Sequence, residues 1–494
     1  MQTTEKSGGF FYIVFASFFL FIFSWIFVYT TGINKLAIQS EDTLPAIFLP
    51  VAIIKEKTLY LNSYVDMMME RYPHPDDKNG VRGLTPFYLK KIGNNYASAF
   101  PIITPLISLP IYFFPIKLGM EINWENLIIL SKISSALIMS LSGGFFYLLL
   151  RRQFSLNEEK SVKLTMIYLF GSVNFAMLSQ SMWQHGTLQL FSILGLYFIL
   201  DFLKSSNFKP FSAFFGGFFY GLAILSRPTA ALAFLFILLY MLFKIRYFKP
   251  FLKAMIPLML GLLLNIAFFL WYNNKYYIGI QNQGYASQIL ESWVSPFPEG
   301  FLGVWFSPSK GILVYSPIFI LSFFGFFIAI KKGWKENTQF LTYFLIVIFH
   351  TLIISFWKHW YGGYSFGYRM SSDVIPYLTL LLVPFVESIW YEKVRFLFTI
   401  LAVVSVLTQV FGIIFFDGIW HAAYDTGFKN TSWLWSIKDS EFMFNIRRIM
   451  VKFNLLDRAC PVCLQGSARS GLSPGRARPG VGTARRRPGP ERKI

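Results

Sequence analysis

The sequence predicts an all-α polytopic membrane protein, a bundle of about 11 transmembrane helices with a large first outer loop that carries juxtamembrane helices. Three observations lead to this fold class. Of the 494 residues, 54% are hydrophobic and only 14% are charged, whereas an ordinary soluble domain has roughly 25% charged residues. The mean hydropathy is +0.49. The apolar residues also fall into separate runs long enough to cross a bilayer core of roughly 30 Å.

Eleven apolar runs are predicted to span the membrane. The first, at 10–29, follows a short polar leader and has no small-residue cleavage site after it, so we expect a retained helix rather than a removed signal peptide. The remaining predicted spans are 127–150, 164–182, 188–203, 211–225, 230–243, 252–271, 312–330, 340–357, 374–390 and 396–416.

The basic residues indicate the orientation of these spans. A net charge of +20 would suit a nucleic-acid-binding protein, but here Lys and Arg lie in short loops between apolar runs, so we expect no nucleic-acid partner. Loops with this bias favour the cytoplasm. They occupy alternate connections, namely 151–152, 204–209, 244–253, 331–335 and 393–395. The N-terminus is therefore predicted to be cytoplasmic, and the segments 30–126, 183–187, 227–229, 272–311 and 358–373 are predicted to face outward.

Residues 101–118 are apolar but do not fit this count. They contain Pro101, Pro105, Pro110 and Pro115, and Pro inside a helix removes a hydrogen bond and clashes with the preceding turn. A span here would also move the basic pair at 151–152 to the outside. We therefore predict a re-entrant or interfacial element that closes the first outer loop. The alternative is a twelfth span with inverted topology.

The composition divides the chain into two regions. Residues 1–456 form the predicted membrane-embedded body, with the first outer loop at 31–125. Residues 457–494 are rich in Gly, Pro, Ala and Arg and contain no aromatic residue, so we predict a disordered tail that resembles a frame-shifted or fused end. Cys460 and Cys463 form a single C-x-x-C pair in this tail. With five His and two Cys in the whole chain, the sequence predicts neither a metal cluster nor a disulfide framework.

The candidate catalytic residues are Glu41 and Asp42, two adjacent carboxylates shortly after the first span. At a membrane surface such a pair can act as a general base for an acceptor hydroxyl or bind a divalent cation. The alternative is a solvated loop start in which Asp42 caps a helix opened by residues 43–45. Taken alone, the pair fits the cap better. Its predicted position outside, facing the same compartment as several basic motifs, favours Asp42 as the catalytic residue.

Further candidates lie in the other outer segments. Trp183 and His185 follow the third span, and His185 alone is more typical of a hydrogen-bonded structural histidine than of a base. Arg227, at the outer end of the fifth span, can bind a phosphate or simply reach the interface as a snorkelling side chain. Lys310 and Gly311 precede a span, where charge and free N–H groups favour an anion.

The segment 359–373 combines glycines, aromatic residues and a basic–acidic pair. The glycines allow tight backbone turns, and aromatic faces such as that of Tyr364 can stack on sugar rings. Arg369 could bind a phosphate, with Asp373 holding the Arg369 side chain in place. An aromatic interfacial belt is the alternative, but a belt needs neither the glycine pair nor the Arg and Asp. Carboxylates, basic residues and aromatics on one face suit a substrate with both phosphate and sugar.

These motifs, taken in order, resemble the polytopic GT-C glycosyltransferases. This superfamily includes the protein O-mannosyltransferases and aminoarabinose transferases, and the greater similarity is to uncharacterised bacterial members. The resemblance extends over nearly the whole body, to about residue 444. The segments that carry it are 41–45 (E-D-T-L-P), 96–105, 181–185 (S-M-W-Q-H), 225–229 (L-S-R-P-T), 307–317 and 361–376.

The resemblance implies an inverting transfer of a sugar from a polyprenyl-phosphate donor to a glycan, lipid or protein acceptor. The reaction would take place among membrane lipids, on the outer face of a bacterial inner membrane. An essential acidic residue is expected in the first outer loop, which Asp42 matches best and Glu41 next. Many members have D-D or D-E where this chain has E-D, so which carboxylate acts is open.

The resemblance also implies a substrate-binding set around that carboxylate. Stabilisation of the leaving phosphate would fall to Arg227, Lys310 or Arg369. Some members use a divalent cation such as Mg²⁺ or Mn²⁺ and others do not; if one is used here, Asp42 is the expected ligand. The other expected substrate-binding residues are Trp183, His185, Tyr364 and Asp373.

Two other functions remain open at the level of sequence. The first is a non-enzymatic transporter or flippase of lipid-linked saccharides, against which the sequence shows no inverted pair of broken helices that would mark a midplane site. The second is an oligosaccharide ligase or polymerase, which would transfer whole chains rather than single sugars.

Overall fold

The computed structural model describes residues 2–34, 38–79, 81–205, 208–245, 248–284 and 292–452. The predicted tail at 457–494, with Cys460 and Cys463, lies outside the described residues. Within them the fold is predominantly helical, as the sequence predicted. The protein is an all-α polytopic membrane protein.

The N-terminal part of the chain forms one long helix followed by a loop region with its own short helices. Single 3₁₀ turns at Glu41–Thr43 and Asn62–Tyr64 lead into two of these helices. The elements are α1 (Gln2–Thr30), α2 (Leu44–Glu56), α3 (Val65–Arg71), β1 (Leu89–Ile92), β2 (Asn95–Ser98) and α4 (Ile103–Lys117).

The rest of the described chain forms the bundle. Its middle part comprises α5 (Trp124–Leu148), α6 (Glu158–Phe170), α7 (Gln184–Lys204), α8 (Pro210–Ser226), α9 (Ala230–Ile245) and α10 (Phe248–Tyr277). A 3₁₀ helix at Arg369–Val374 lies in the C-terminal part. The α-helices there are α11 (Glu299–Phe306), α12 (Ile312–Tyr315), α13 (Ile320–Lys331), α14 (Thr338–Phe356), α15 (Ile375–Leu380), α16 (Val383–Val386), α17 (Ile389–Lys393), α18 (Arg395–Phe415), α19 (Ile419–Tyr424) and α20 (Glu441–Lys452).

Seven helical segments among the described residues are long and apolar enough to cross a membrane, and each overlaps a predicted span. They are Gly8–Thr30, Trp124–Gln153, Gln184–Lys204, Phe251–Tyr277, Thr338–Phe356, Arg369–Val386 and Arg395–Phe415. Three more predicted spans correspond to shorter apolar helices, Pro210–Ser226, Ala230–Ile245 and Pro317–Lys331.

Three predicted spans are not the continuous helices that we expected. In the span 164–182, α6 ends at Phe170 and only a π turn, Asn174–Leu178, follows. In the span 312–330 the helix breaks before Pro317, because the residue before a proline is disfavoured in the helical conformation. In the span 374–390 the break between α15 and α16 precedes Pro384, which has no N–H to donate to the preceding turn.

The first outer loop contains the helices that the sequence predicted. Residues 44–52 of α2 are buried and pack against α4, and the ring of Phe48 meets Trp124 edge-to-face at 5.2 Å between centroids. The proline-containing segment 101–118 forms a continuous helix over most of its length, since α4 continues through Pro110 and Pro115. Its 15 residues extend roughly 22 Å at about 1.5 Å per residue.

A two-stranded hairpin, which the sequence did not predict, completes this loop. Strands β1 and β2 are antiparallel, with Leu89 opposite Ser98 and Ile92 opposite Asn95. The turn between them uses Gly93 at φ +58°, a conformation that suits a tight hairpin turn and that glycine adopts without strain.

The loops predicted to share one side of the membrane contact each other. Lys160 Nζ lies 3.2 Å from Glu387 Oε1, and Lys204 at the end of α7 donates to the carbonyl of Gln153. His185 lies at the other end of α7, roughly 28 Å away at about 1.5 Å per residue. In helices α1, α10 and α18 only 22% of the apolar stretch is buried, as expected for helices that face lipid. The bundle therefore has two polar ends and an apolar circumference.

Candidate active site

Asp42 contacts a basic residue that lies 327 positions further along the chain. It belongs to the 3₁₀ turn Glu41–Thr43. Arg369 Nη1 donates to Asp42 Oδ2 at 2.6 Å, a charge-assisted hydrogen bond. The side chain of Asp42 remains 24% exposed, whereas that of Arg369 is 11% exposed. A largely buried guanidinium therefore orients a carboxylate that can still be reached from outside.

The alternative interpretation of Asp42 as a helix cap is wrong. The N-cap of the 3₁₀ turn is Ser40, whose Oγ accepts from the backbone N–H of Asp42 at 3.4 Å. Thr43 precedes α2, but its hydroxyl donates to the carbonyl of Ser40 at 2.8 Å and, in the described structure, does not cap the helix. The carboxylate of Asp42 is directed to Arg369 instead.

Arg369 is held by contacts on two further sides. Its Nη2 donates to the carbonyl of Gly362 at 2.7 Å, and its guanidinium lies 4.2 Å from the ring centroid of Trp183, a favourable cation–π geometry. Gly362 has φ +85°, which a residue with a side chain rarely adopts. The predicted glycine motif thus serves to turn a carbonyl toward the guanidinium.

Trp183 connects this arginine to the first outer loop. Its Nε1 donates to Gln39 Oε1 at 2.9 Å, and Gln39 Nε2 donates to the carbonyl of Ala176 at 2.7 Å. The sequence predicted that Trp183 binds substrate, and that role stays a prediction. In the structure its ring supports Arg369.

Glu41 differs from Asp42 in its environment. Burial, together with the neighbouring charge of Asp42, raises the pKa of Glu41 to about 7. Two adjacent carboxylates resist simultaneous ionisation because their charges repel. A carboxyl group that titrates near neutral pH can accept or donate a proton under working conditions. Glu41 is therefore a second candidate for proton transfer beside Asp42.

We expect Glu41→Gln to raise thermal stability relative to the wild type by an amount that grows between about pH 5 and pH 8. The pKa of Glu41 rises from 4.5 to about 7 in the folded protein. The contribution of Glu41 is therefore fully present below pH 4.5 and is lost as the pH rises through 7. Gln cannot ionise and removes this loss. Thermal unfolding of detergent-solubilised protein measures the difference, and a difference independent of pH would contradict the assignment.

A second, largely buried polar cluster surrounds Asp373. Its Oδ1 lies 2.6 Å from His185 Nδ1. Its Oδ2 accepts from the Thr229 hydroxyl at 2.8 Å and lies 3.3 Å from Arg227 Nε. Arg227 Nη1 lies 2.6 Å from His185 Nε2, and His350 Nε2 is 3.9 Å from the same carboxylate. Since Arg227 can only donate, His185 Nε2 accepts and its Nδ1–H donates to Asp373.

The 3₁₀ helix Arg369–Val374 connects the two clusters. The sequence predicted that Asp373 holds Arg369, and this prediction is wrong. Asp373 binds His185 and Arg227, while Arg369, four residues earlier, binds Asp42. The buried cluster therefore anchors the helix that presents Arg369. Phosphate binding by Arg227 and Arg369 stays a prediction.

Lys310 is fully buried rather than presented at a surface. Its Nζ donates to the carbonyl of Ser365 and lies 2.9 Å from His421 Nε2 and 3.8 Å from Glu441 Oε2. Burial lowers the pKa of His421 well below its usual range, so the neutral ring accepts from the ammonium group. Burial also lowers the pKa of Lys310 and raises that of Glu441. Phosphate binding by Lys310 stays a prediction, and the structure directs its charge toward α20.

Tyr364 lies beside this buried lysine cluster. The residue is 49% exposed, and its ring stacks on His421 with 5.1 Å between centroids. Stacking on one side leaves exposed aromatic surface elsewhere on the ring. The predicted stacking of Tyr364 on a sugar is therefore possible sterically and stays a prediction.

Sequence reasoning missed four residues of these clusters. One of them, His350, carried a usable signal, because an ionisable residue inside a predicted span is a functional candidate. The other three lie outside the predicted spans, where no spacing relates them to the motifs. The four are Gln39, His350, His421 and Glu441.

Binding of a divalent cation by the described residues, with Asp42 as the expected ligand, stays a prediction. Among them, no group of three or more His, Cys, Asp and Glu side chains could hold a metal ion. Mg²⁺ requires near-octahedral oxygen coordination, often through one or two carboxylates together with substrate phosphates and water. Here Asp42 and Glu41 are the adjacent carboxylates, and one oxygen of Asp42 is already bound by Arg369.

Comparison with known proteins adds one family. Residues 105–272 match the family model described as dolichyl-phosphate-mannose-protein mannosyltransferase. The matched region includes Trp183, His185 and Arg227 but neither Asp42 nor Arg369. No curated protein matches the chain. Over these residues the chain is similar to a GT-C-type family of membrane glycosyltransferases, and the helical membrane fold agrees with that similarity.

Proposed function

We propose that the protein transfers a sugar from a polyprenyl-phosphate-linked donor to an acceptor, with inversion, and that the carboxylate of Asp42 is the general base. The observation that carries this proposal is the pairing of the partly exposed Asp42 with Arg369 at 2.6 Å. The similarity of residues 105–272 to a mannosyltransferase family supports the reaction class.

Each residue of the pair has a role in this reaction. Asp42 removes the proton of the acceptor hydroxyl, whose oxygen attacks the anomeric carbon from the face opposite the phosphate. The bond from that carbon to the phosphate oxygen breaks, and polyprenyl phosphate leaves with the electron pair. Arg369, beside Asp42, stabilises the charge that develops on the leaving phosphate. The proton on Asp42 then passes to water or to Glu41.

We place the reaction on the outer, periplasmic face of a bacterial inner membrane, with a cytoplasmic N-terminus. The support is the bias of Lys and Arg toward the loops at the end of the bundle opposite Asp42 and Arg369. Lys160 and Lys204 belong to that opposite end. The acceptor would approach Asp42 from outside, while the donor lipid stays in the bilayer.

The direct test is transfer by purified protein in proteoliposomes. The probes are polyprenyl phosphates that carry a radiolabelled hexose or pentose, and the acceptors are glycan, lipid and protein fractions of the producing cells. We expect label to move to one acceptor fraction as free polyprenyl phosphate appears in equal amount. If no donor loses its sugar with any fraction, the proposal fails. For an active protein, glycan profiling of a deletion strain would identify the sugar and the acceptor.

The helix breaks observed before Pro317 and Pro384 bear on the alternative of a transporter of lipid-linked saccharides. Broken helices are typical of transporter binding sites, so their presence removes one argument against that function. The same proteoliposomes distinguish the two functions. A transporter would move the labelled lipid between leaflets and leave its sugar attached.

We expect chelation of divalent cations to change the transfer rate by less than about two-fold. Arg369 already supplies the positive charge next to Asp42 that a bound Mg²⁺ or Mn²⁺ would provide. The measurement compares transfer by proteoliposomes in excess EDTA, with and without added Mg²⁺ or Mn²⁺. Loss of activity in EDTA and its recovery with one cation would show instead that the carboxylates bind that metal.

A further inference from the structure

The loop that leads into Arg369 is held by a lysine from another part of the chain. This glycine loop, residues 362–368, provides the carbonyl of Gly362, which accepts from Arg369 Nη2 at 2.7 Å. Three residues later, the carbonyl of the buried Ser365 accepts from Nζ of Lys310, which lies 55 positions earlier in the chain. One short stretch of backbone therefore binds both cations.

The ammonium group of Lys310 is enclosed by the protein, and its side chain is 1% exposed. Besides the Ser365 carbonyl, its Nζ lies 2.9 Å from His421 Nε2 and 3.8 Å from Glu441 Oε2. An ammonium group has three N–H donors and no acceptor, so the carbonyl and the imidazole nitrogen both accept. The carboxylate compensates the buried charge. A lysine enclosed in this way is suited to holding the protein's own backbone.

Two of these three partners come from α19 and α20, which follow α18. The two helices are fastened to each other at two points. Trp420 Nε1 donates to the carbonyl of Asp439 at 2.7 Å, and Arg448 Nη2 lies 2.7 Å from Asp417 Oδ2. The C-terminal end of the described chain thus reaches back, through Lys310, to the loop that leads into Arg369.

The glycine loop depends on such contacts for its conformation, because residues 362–368 form neither helix nor strand. The ring of Phe366 is buried against Tyr315, with 4.9 Å between centroids, and Tyr364 stacks on a histidine of α19. These contacts fix two side chains, whereas Lys310 binds the backbone between them.

We propose that Lys310 is a positioning residue, which fixes the glycine loop through the Ser365 carbonyl and thereby sets the orientation of Arg369 beside Asp42. The inference rests on the proposed function for the roles of Arg369 and Asp42, whereas its structural part concerns the loop alone. A displacement of about 1 Å at a reacting centre can cost about 10²-fold in rate. This role is an alternative to the phosphate binding that the sequence predicted for Lys310.

The test compares Lys310→Met with the double variant Lys310→Met/Glu441→Gln. Lys310→Met alone leaves a buried carboxylate without its counter-charge and should lower the unfolding temperature. The double variant removes that carboxylate charge and should recover most of the loss. Neither variant has an N–H donor for the Ser365 carbonyl. We therefore expect kcat for sugar transfer to fall about 10–10²-fold in both, while the KM for the donor changes less than about two-fold.

Hydrogen–deuterium exchange measures the loop itself, without substrate. In the wild type, the backbone N–H groups of Gly362 and Ser365 each donate to a backbone carbonyl at 2.8 Å. We expect peptides that cover residues 359–368 to exchange faster in the folded double variant, because local opening becomes easier once the loop is released. Lys204→Met is the matched control and should change neither exchange nor kcat. Lys204 also donates to a backbone carbonyl, but at the opposite end of the bundle.

The outcomes separate positioning from a purely structural role and from substrate binding. If kcat returned to the wild-type value together with the unfolding temperature in the double variant, Lys310 would only stabilise the fold. A raised donor KM with unchanged kcat would show that Lys310 binds the donor. Either result, or unchanged exchange at residues 359–368, overturns the proposal.

Two further cases are covered by the exchange measurement. If neither Lys310 variant folds, Glu441→Gln keeps Lys310 but removes one of its three partners. It should also speed exchange in the glycine loop, and wild-type exchange would overturn the proposal. If the wild-type protein transfers no sugar, the proposed function fails, and exchange alone decides whether Lys310 holds the loop.

Discussion

Asp42→Asn is expected to lower the rate of sugar transfer by about 10²–10⁴-fold, the usual contribution of a general base. Asn has nearly the same shape and can still accept a hydrogen bond from Arg369, so the loop should keep its position. What it cannot do is take the proton of the acceptor hydroxyl. The transfer assay in proteoliposomes measures the rate, and gel filtration with thermal unfolding checks that the variant is folded.

Two further variants show whether the expected loss of transfer rate is specific to Asp42. Asp66→Asn removes an exposed carboxylate of the same outer loop and should leave the rate unchanged. Glu41→Gln tests the second carboxylate, since the pKa of Glu41 is raised to about 7. If Glu41 were the base, its substitution would cause the large loss and Asp42→Asn only a small one. Full activity of Asp42→Asn in a folded protein would remove Asp42 from the mechanism.

The second large effect is expected on stability. Asp373→Asn should cost about 3–5 kcal/mol, because it removes the negative charge that compensates the largely buried side chain of Arg227. The carboxylate now lies 3.3 Å from Arg227 Nε and 2.6 Å from His185 Nδ1. Unfolding in detergent by heat or denaturant measures the change. The transfer rate should fall as well, since Asp373 anchors the 3₁₀ helix that presents Arg369.

An exposed ion pair of the same chain provides the matched control. Glu387→Gln removes the partner of Lys160, and the Glu387 side chain is 48% exposed. Exposed pairs contribute only about 0–1 kcal/mol, so this variant should unfold close to the wild type. If Asp373→Asn were no less stable than Glu387→Gln, the buried cluster would not anchor the site as we describe.

Much of the fold could be predicted from local sequence because hydrophobicity and length decide whether a segment suits the bilayer. The long spans at the positions of α1, α5, α7, α14 and α18 follow from apolar runs alone. The positions at which helices are interrupted were harder to predict. Pro384 breaks its helix, whereas Pro110 and Pro115 lie inside the continuous α4. The effect of a proline depends on whether neighbouring groups satisfy the freed carbonyl, which is a property of packing.

The candidate site could likewise be predicted from the sequence only in part. Glu41 and Asp42 could be recognised because they lie shortly after the first span, at the position where the GT-C resemblance implies an essential acidic residue. Their partners could not be assigned, and proximity in sequence wrongly paired Asp373 with Arg369. The real partner of Arg369 is Asp42, 327 positions away. His350 and Glu441 join the clusters only because α14 and α20 pack beside them.

By itself, the sequence determined that this is a helical membrane protein with polar motifs gathered in alternate loops, because those properties depend on composition and spacing. Only the tertiary structure decided which charges meet. It placed Arg369 on Asp42 and directed Lys310 to Glu441. The physical reason is that ion pairing and burial depend on distance in space, and helix packing sets that distance for residues far apart in the chain.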